Sequence, residues 1–342
     1  MSFERSRPKF RAAAAALVLG ISCGPAMAQD LRPITFVQPS PSAINSYPIV
    51  IAAAEGYFAE EGLEVTVQSI NGSGAVLQAL SAGQAQFGRP GPTPVIAARA
   101  RGVDAVFIYN VAARANFGIV VPEDSPIQSL DELRGKTIGT GTADGAEVGF
   151  ARNVLTGAGL KEGTDYTFLT VGDGGPATAA FARKDMDAYV SATSDAAILH
   201  QRGVKIRDIT PESYAKFFGN GLVTTGEIIK TDPALVEGFG RAVAKAQKFA
   251  EDDANRDKVL AALAEANPQE GEDPAFAAAL FDAVRSKYRP IDPTRGYGYN
   301  PPEVWDEVQK AMIASGDLAA PLPDLTAAYT NDFVAEWNEG LQ

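Results

Sequence analysis

The stretch F-G-R-P-G-P-T-P at residues 87–94 sets the reading of this chain. Ala85 to Gly88 read as a very short strand, a rigid turn follows, and P-T-P-V-I-A-A-R-A-R-G at 92–102 has helical spacing. Strand, tight turn and helix form the repeating unit of a parallel sheet covered by helices. The turn needs its glycine and prolines, which set φ or allow it to become positive. It does not need Arg89. Either that arginine is an idle surface charge, or the turn is a stiff mount that aims a guanidinium at something.

Outward from this turn the same unit recurs. Strands are expected at 33–37, 63–70, 103–111 and 117–121, with helices at 44–61, 72–83 and 92–102 between them, until Pro122 breaks the pattern. A second set follows: strands at 136–140, 166–171, 187–191 and 204–209 alternate with helices at 144–159, at 176–184 and through His200. One more strand is expected at 222–229, and after Pro233 the chain turns helical, at 233–253, 255–266, 274–288, 302–315 and 324–338. Two such sets, with a crossing near Val121 and a return near Asn220, predict an α/β protein of two lobes, each a parallel-rich sheet flanked by helices, with a helical C-terminal tail. The expected division is a signal peptide at 1–28, a first part of lobe 1 at 29–118, lobe 2 at 119–219, and a return to lobe 1 at 220–342.

The first 28 residues carry a basic start, an apolar run A-A-A-A-A-L-V-L-G-I and the small-x-small site Ala26-Met27-Ala28. That is the anatomy of a secretory signal peptide, so the mature protein is expected to be exported. Cys23 lies inside it, and Gly20 stands where a lipoprotein signal wants a Leu-like residue, so soluble export is expected over lipid anchoring. Removing 1–28 takes four basic residues and one acid from 30 and 42, leaving 26 against 41, a net charge of −15. Such a surface argues against nucleic acid or anionic membrane as partner. The mature chain has no cysteine and one histidine, His200, so Cys–His chemistry and His-rich metal sites are excluded; no G-x-S-x-G elbow appears either. No cofactor is expected.

Ligands of such sheets bind at the carboxyl ends of the strands. Five turns stand there: Q-P-S-P-S-A-I-N-S-Y (38–47), N-G-S-G (71–74), R-P-G-P-T (89–93), A-A-R-A-N-F (112–117) and G-T-G-T-A-D-G-A-E (139–147). The glycines at 139, 141 and 145 are spaced one residue too far for a dinucleotide fingerprint, and the Walker lysine is absent. What remains is a glycine-rich helix opening whose N–H groups suit an anion or polar ligand. Alternatively Asp144 caps that helix with Glu147 as its capping-box partner. The candidate ligand contacts on these turns are Gln38, Asn45, Tyr47, Ser73, Arg89, Pro90, Gly91, Thr93, Arg114, Asn116, Phe117, Thr142, Asp144, Gly145 and Ala146. Tyr189 and Ser191 on a later strand complete the set. Arg89 and Arg114 together could hold a carboxylate or sulfonate, Thr142 to Ala146 would donate N–H groups, and Tyr47 and Tyr189 would flank the ligand body.

The segments A-A-A-E-G-Y-F-A-E-E-G-L-E-V (52–65), S-A-G-Q-A-Q-F-G (81–88), D-S-P-I-Q-S-L-D-E-L-R-G-K-T-I-G (124–139) and G-P-A-T-A-A-F-A-R-K-D-M-D-A (175–188) resemble the periplasmic substrate-binding proteins of ABC importers. The similar group serves nitrate, alkanesulfonates, taurine and pyrimidine precursors of thiamine. The resemblance implies a two-lobed periplasmic binding protein of type II topology that closes on a small-molecule ligand and docks as a monomer on an inner-membrane permease with a cytoplasmic ATPase. It implies no enzymatic activity. A small organic anion, a sulfonate or aromatic carboxylate, is the first expectation. A thiamine-pyrimidine precursor or other amino-heterocycle is the alternative, with Asp144 pairing an exocyclic amine. An exported enzyme on the same scaffold is the third.

Overall fold

Ten strands assort into two five-stranded sheets in the computed structural model, which describes residues 1–2 and 31–341. The expected signal peptide, with Cys23, lies outside the described residues apart from Met1 and Ser2. The strands are β1 (Arg32–Gln38), β2 (Leu63–Ser69), β3 (Phe87–Gly88), β4 (Ala105–Tyr109), β5 (Phe117–Pro122), β6 (Lys136–Thr140), β7 (Tyr166–Thr170), β8 (Ala188–Ala192), β9 (Ile206–Asp208) and β10 (Leu222–Thr225). The first sheet runs β2-β1-β3-β10-β4 and the second β7-β6-β8-β5-β9. Within each, the strands joined by βαβ units pair in parallel: β1 with β2 and β3, β6 with β7 and β8. The antiparallel strands are those by which the chain enters from the other sheet, β5 against β8 and β9, and β10 against β3 and β4. β5 begins at Phe117, so the chain has changed sheets by then, ahead of the expected crossing near Val121.

The helical tail is part of the first half's core. Phe239, on the helix Pro233–Glu251, stacks on Phe87 of β3 with ring centroids 3.9 Å apart and on Phe58 at 5.0 Å. Aromatic pairs of this kind add about 0.5–1.5 kcal/mol beyond the area they bury. On the other face Trp305, from the helix Pro302–Ser315, meets Phe107 of β4 at 5.2 Å. The two-residue strand before Arg89 is therefore backed by the tail, and a strand that short has few ladder bonds of its own.

Three elements differ from expectation. The helix read over 44–61 is broken at Gly56, whose φ of 75° is left-handed, giving a helix Tyr47–Ala54 and a short turn Tyr57–Glu60. The strand read over 222–229 stops at Thr225, whose Oγ1 accepts from Ile228 N at 3.2 Å and starts the helix Gly226–Thr231. The last helix, read over 324–338, survives as two short pieces, Leu325–Ala328 and Val334–Trp337. Between them the backbone leaves the helix to pair with β4, Thr330 N donating to Phe107 O at 3.1 Å.

Candidate functional site

The turn that follows β3 is fixed on all sides. Arg89 N donates to Val37 O at 3.0 Å, Asn220 Nδ2 to Arg89 O at 3.1 Å, Gly221 N to Pro90 O at 3.2 Å and Gly91 N to Ser73 Oγ at 3.3 Å. Gly91 has an ordinary φ of −84°, so conformational freedom is not its purpose. A Cβ there would overlap the Cβ of Ala146. The missing side chain lets the opening of the helix Ala146–Gly157, which follows β6, approach the turn. Arg89 itself is 3% exposed and lines a cleft of about 670 Å³ between the two sheets. Its Nη1 reaches Tyr288 Oη at 3.5 Å, and its Nε has no hydrogen-bond partner.

Residues from all five expected turns line this cleft: Asn45, Ser73, Arg89, Asn116, Phe117, Thr142, Gly145 and Ala146 among those singled out. The others lie elsewhere. Arg114 points away, its Nη1 donating to Arg289 O at 2.7 Å, so the expected arginine pair is not formed. Tyr47 is wholly buried and stacks on Tyr288 with centroids 5.4 Å apart, which leaves it no face for a ligand. Tyr189 is buried as well; only its hydroxyl reaches toward the cleft wall. Gln38 and Ser191 are buried against Ser69 and Ala192 O, while Pro90 and Gly91 lie in the turn outside the cleft lining. Thr93 packs where Gly149 has no side chain. Asp144 faces a second cavity of about 460 Å³ behind the cleft, over the glycines that open the helix Gly72–Ser81.

The glycine-rich loop after β6 holds a carboxylate of its own chain. Glu147 already occupies it, Oε1 accepting from Thr142 N at 2.9 Å and Thr142 Oγ1 at 2.6 Å. The residue at the helix N-cap is Gly145, without a side-chain cap bond, so Asp144 does not cap this helix. Each glycine of the loop makes room for a close neighbour: Gly139 for Met186, Gly141 for Asp173, Gly145 for Glu147 and Thr142. Burial raises the carboxyls of Glu147 and Asp173 above the usual carboxylate range.

The second sheet and the tail supply the lining that sequence reasoning missed. Asp173 follows β7, and Ser194 and Asp195 open the helix Thr193–Gln201 after β8. Residues 267–276 close one side, and Glu270 accepts from Ala43 N and Ile44 N at 2.9 and 3.1 Å. Two hydrogen bonds cross the cleft, Asn45 Nδ2 to Ser194 Oγ at 2.9 Å and Gln201 Nε2 to Asp273 Oδ2 at 3.2 Å. The titratable lining comes to six carboxylates, Glu147, Asp173, Asp195, Glu270, Glu272 and Asp273, against the guanidiniums of Arg89 and Arg202. The turn signals D-G-G-P at 173–176 and S-A-T-S-D at 191–195 were visible as strand ends in the sequence; the tail's approach was not.

Two α/β sheets facing each other over a cleft, with a helical C-terminal region, make the periplasmic binding protein fold. A family profile described as NMT1/THI5 like matches residues 43–256, and the chain belongs to that family. A riboflavin-binding protein, RibY, of Chloroflexus aurantiacus is 27% identical over 310 residues, 89% of this chain and 86% of the relative. Among solved structures, the periplasmic aliphatic sulphonate binding protein SsuA of Escherichia coli superposes with a TM-score of 0.65 at 19% identity, covering 86% of this chain and 91% of its own. The periplasmic nitrate-binding protein NrtA of Synechocystis PCC 6803 does so at 0.67 and 13%, covering 92% and 90%. Among the described residues no helix is long and apolar enough to cross a membrane.

Proposed function

We propose that this chain is the periplasmic solute-binding component of an ABC importer, without catalytic activity of its own, and that its ligand is a polar heterocycle that donates hydrogen bonds. Capture takes place in the cleft between the sheets, which form two lobes, and the bonds Asn45–Ser194 and Gln201–Asp273 hold the lobes together over the ligand. Delivery is to an inner-membrane permease with its cytoplasmic ATPase. The fold and the family support the solute-binding role. The observation that carries the ligand class is the lining, six carboxylates against two guanidiniums, which repels a simple anion and welcomes N–H groups. The cleft's volume suits a ligand of drug-like size. The riboflavin-binding relative, matching most of the chain, makes a flavin the first probe.

An organic anion is the second reading, favoured by one observation: the Arg89 guanidinium lines the cleft without a carboxylate partner among the described residues. Thermal unfolding of protein freed of ligand by denaturation and refolding separates the two. The panel is riboflavin, the hydroxymethyl-aminopyrimidine of thiamine, taurine and nitrate. A ligand at 100 times its Kd adds about 2.7 kcal/mol and raises the midpoint by several degrees. A shift with riboflavin or the aminopyrimidine is expected. Shifts confined to taurine or nitrate overturn the heterocycle reading in favour of the anion.

A further inference from the structure

The wall built by the second sheet holds a carboxylate pair whose arrangement goes beyond a general excess of negative charge. Asp173 and Asp195 both line the cleft, and Tyr189 Oη lies 3.4 Å from Asp173 Oδ1 and 3.3 Å from Asp195 Oδ2. Asp195 is 6% exposed and engaged by the backbone, accepting from Gly174 N at 3.2 Å and Ala192 N at 3.3 Å. Asp173 differs. Its hydrogen-bonding neighbour is the Tyr189 hydroxyl, whose one proton Gly172 O and Asp195 Oδ2 also face, and it keeps an exposed surface where it lines the cleft. Gly141 exists for it, since a Cβ at that position would overlap Asp173 Oδ1. Carboxylates sharing one site do not both ionise readily, so the pair holds a proton that a lone aspartate would release. In the empty protein that proton rests on the more buried Asp195; a ligand acceptor facing Asp173 draws it there, and that carboxyl then offers a donor and an acceptor side by side.

On the first sheet's side the cleft has the opposite need. Arg89, 3% exposed, keeps Nε unpartnered, and Asn220, 5% exposed, keeps Oδ1 unpartnered; both residues line the cleft. Arg89 and Asn220 thus bring to the cleft wall polar side chains whose hydrogen-bonding capacity the chain does not fill.

We propose that Asp173, steadied by Tyr189 and seated over Gly141, reads a heterocycle edge that presents an N–H beside an acceptor atom, while the Arg89 guanidinium, which has no carboxylate partner among the described residues, takes an acceptor oxygen elsewhere on the same ligand. The aminopyrimidine edge and the ring imide of a flavin both have this donor–acceptor pattern; a sulfonate or nitrate does not. The assignment rests on the reading that the cleft binds a heterocycle.

Calorimetric titration of riboflavin and the hydroxymethyl-aminopyrimidine into wild type, Asp173→Ala and Asp173→Asn tests it. Asp173 stands on a loop with an exposed surface, and the unfolding midpoint of each ligand-free variant checks that it folds. Asp173→Ala is expected to weaken the bound heterocycle about tenfold or more, the loss that goes with leaving ligand groups unpaired. Asp173→Asn, which keeps one donor and one acceptor, is expected to stay within about threefold of wild type. If wild type binds neither compound, the heterocycle reading of the cleft fails and this assignment with it. If wild type binds but Asp173→Ala binds equally well, only this assignment falls. Equal losses in Asp173→Asn and Asp173→Ala overturn the shared-proton edge in favour of an ionised carboxylate that only accepts from the ligand's N–H groups.

Discussion

Arg89 carries a charge into a nearly closed environment with no carboxylate partner among the described residues, an arrangement that costs stability in the empty protein. Arg89→Met is therefore expected to raise the ligand-free unfolding midpoint while weakening any acceptor-bearing ligand by about 1.5–3 kcal/mol, the range for a hydrogen bond to a charged group. Thermal unfolding with and without ligand reads both halves, and a fall in the ligand-free midpoint would show Arg89 to be scaffold. At the opposite wall, burial and the neighbouring Asp173 push Asp195 up to about 7, with Glu147 adding in the same direction and the Ala192 and Gly174 N–H groups opposing. The folded value lies above that of the unfolded chain, near 4. The native state thus keeps a proton that the unfolded chain releases, so this stabilisation is complete below about pH 4 and lost as the pH rises through about 7. Gly174 N and Ala192 N donate to different oxygens of Asp195, so Asp195→Asn keeps an acceptor for one of them and cannot ionise; the lost bond lowers the midpoint by the same amount at every pH. Its midpoint relative to wild type is expected to improve steadily between pH 4 and pH 8; a flat difference would remove the proton from the pair.

At the scale of elements, three close contacts between the halves run through glycines, beside ion pairs such as Arg152–Asp317. Gly74 lies under Asp144, Gly91 under Ala146 and Gly149 under Thr93, and in each case a Cβ would overlap its neighbour. Helix-period patterning over 72–83, 92–102 and 144–159 was plain in the sequence. The purpose of these glycines was not, because each answers to a residue far along the chain. Gly149→Ala should cost about 1–3 kcal/mol as an overpacked contact, and Thr93→Ala in the same chain should recover part of that cost. Urea unfolding of the two singles and the double measures the coupling; strictly additive effects would mean the two residues do not meet. The strand β3 depends on the tail in a similar way. Phe239→Ala removes the ring stacked on Phe87 and is expected to cost about 3–5 kcal/mol in urea unfolding.

For the whole molecule, the two hydrogen bonds that span the cleft tie closure to specific side chains. The double variant Asn45→Ala/Gln201→Ala is expected to scatter as a more expanded particle and to release ligand faster, with unfolding stability little changed because both bonds have water as an alternative partner. Small-angle scattering and stopped-flow release record these outcomes, and a variant as compact as wild type would assign closure to the glycine contacts instead. The acidic cleft also belongs to this scale, since its six carboxylates come from the loops after β6, β7 and β8 and from the tail.

Periodicity and punctuation determined the α/β class, the alternation of strands and helices and most of the strand-end turns. Those are local matters: apolar spacing, prolines and glycines act within a few residues. Only the tertiary structure decided which turn residues face the cleft. Arg89 and Arg114 both follow strands of the same half, yet one lines the cleft and the other bonds Arg289 O. Tyr47 and Tyr189 have the composition of ligand platforms, and packing against Tyr288 and Phe181 makes them core. The charge of the site was hidden for the same reason. It is the sum of side chains drawn from residues 89 to 273, and a sum over distant positions has no signature in any one window of sequence.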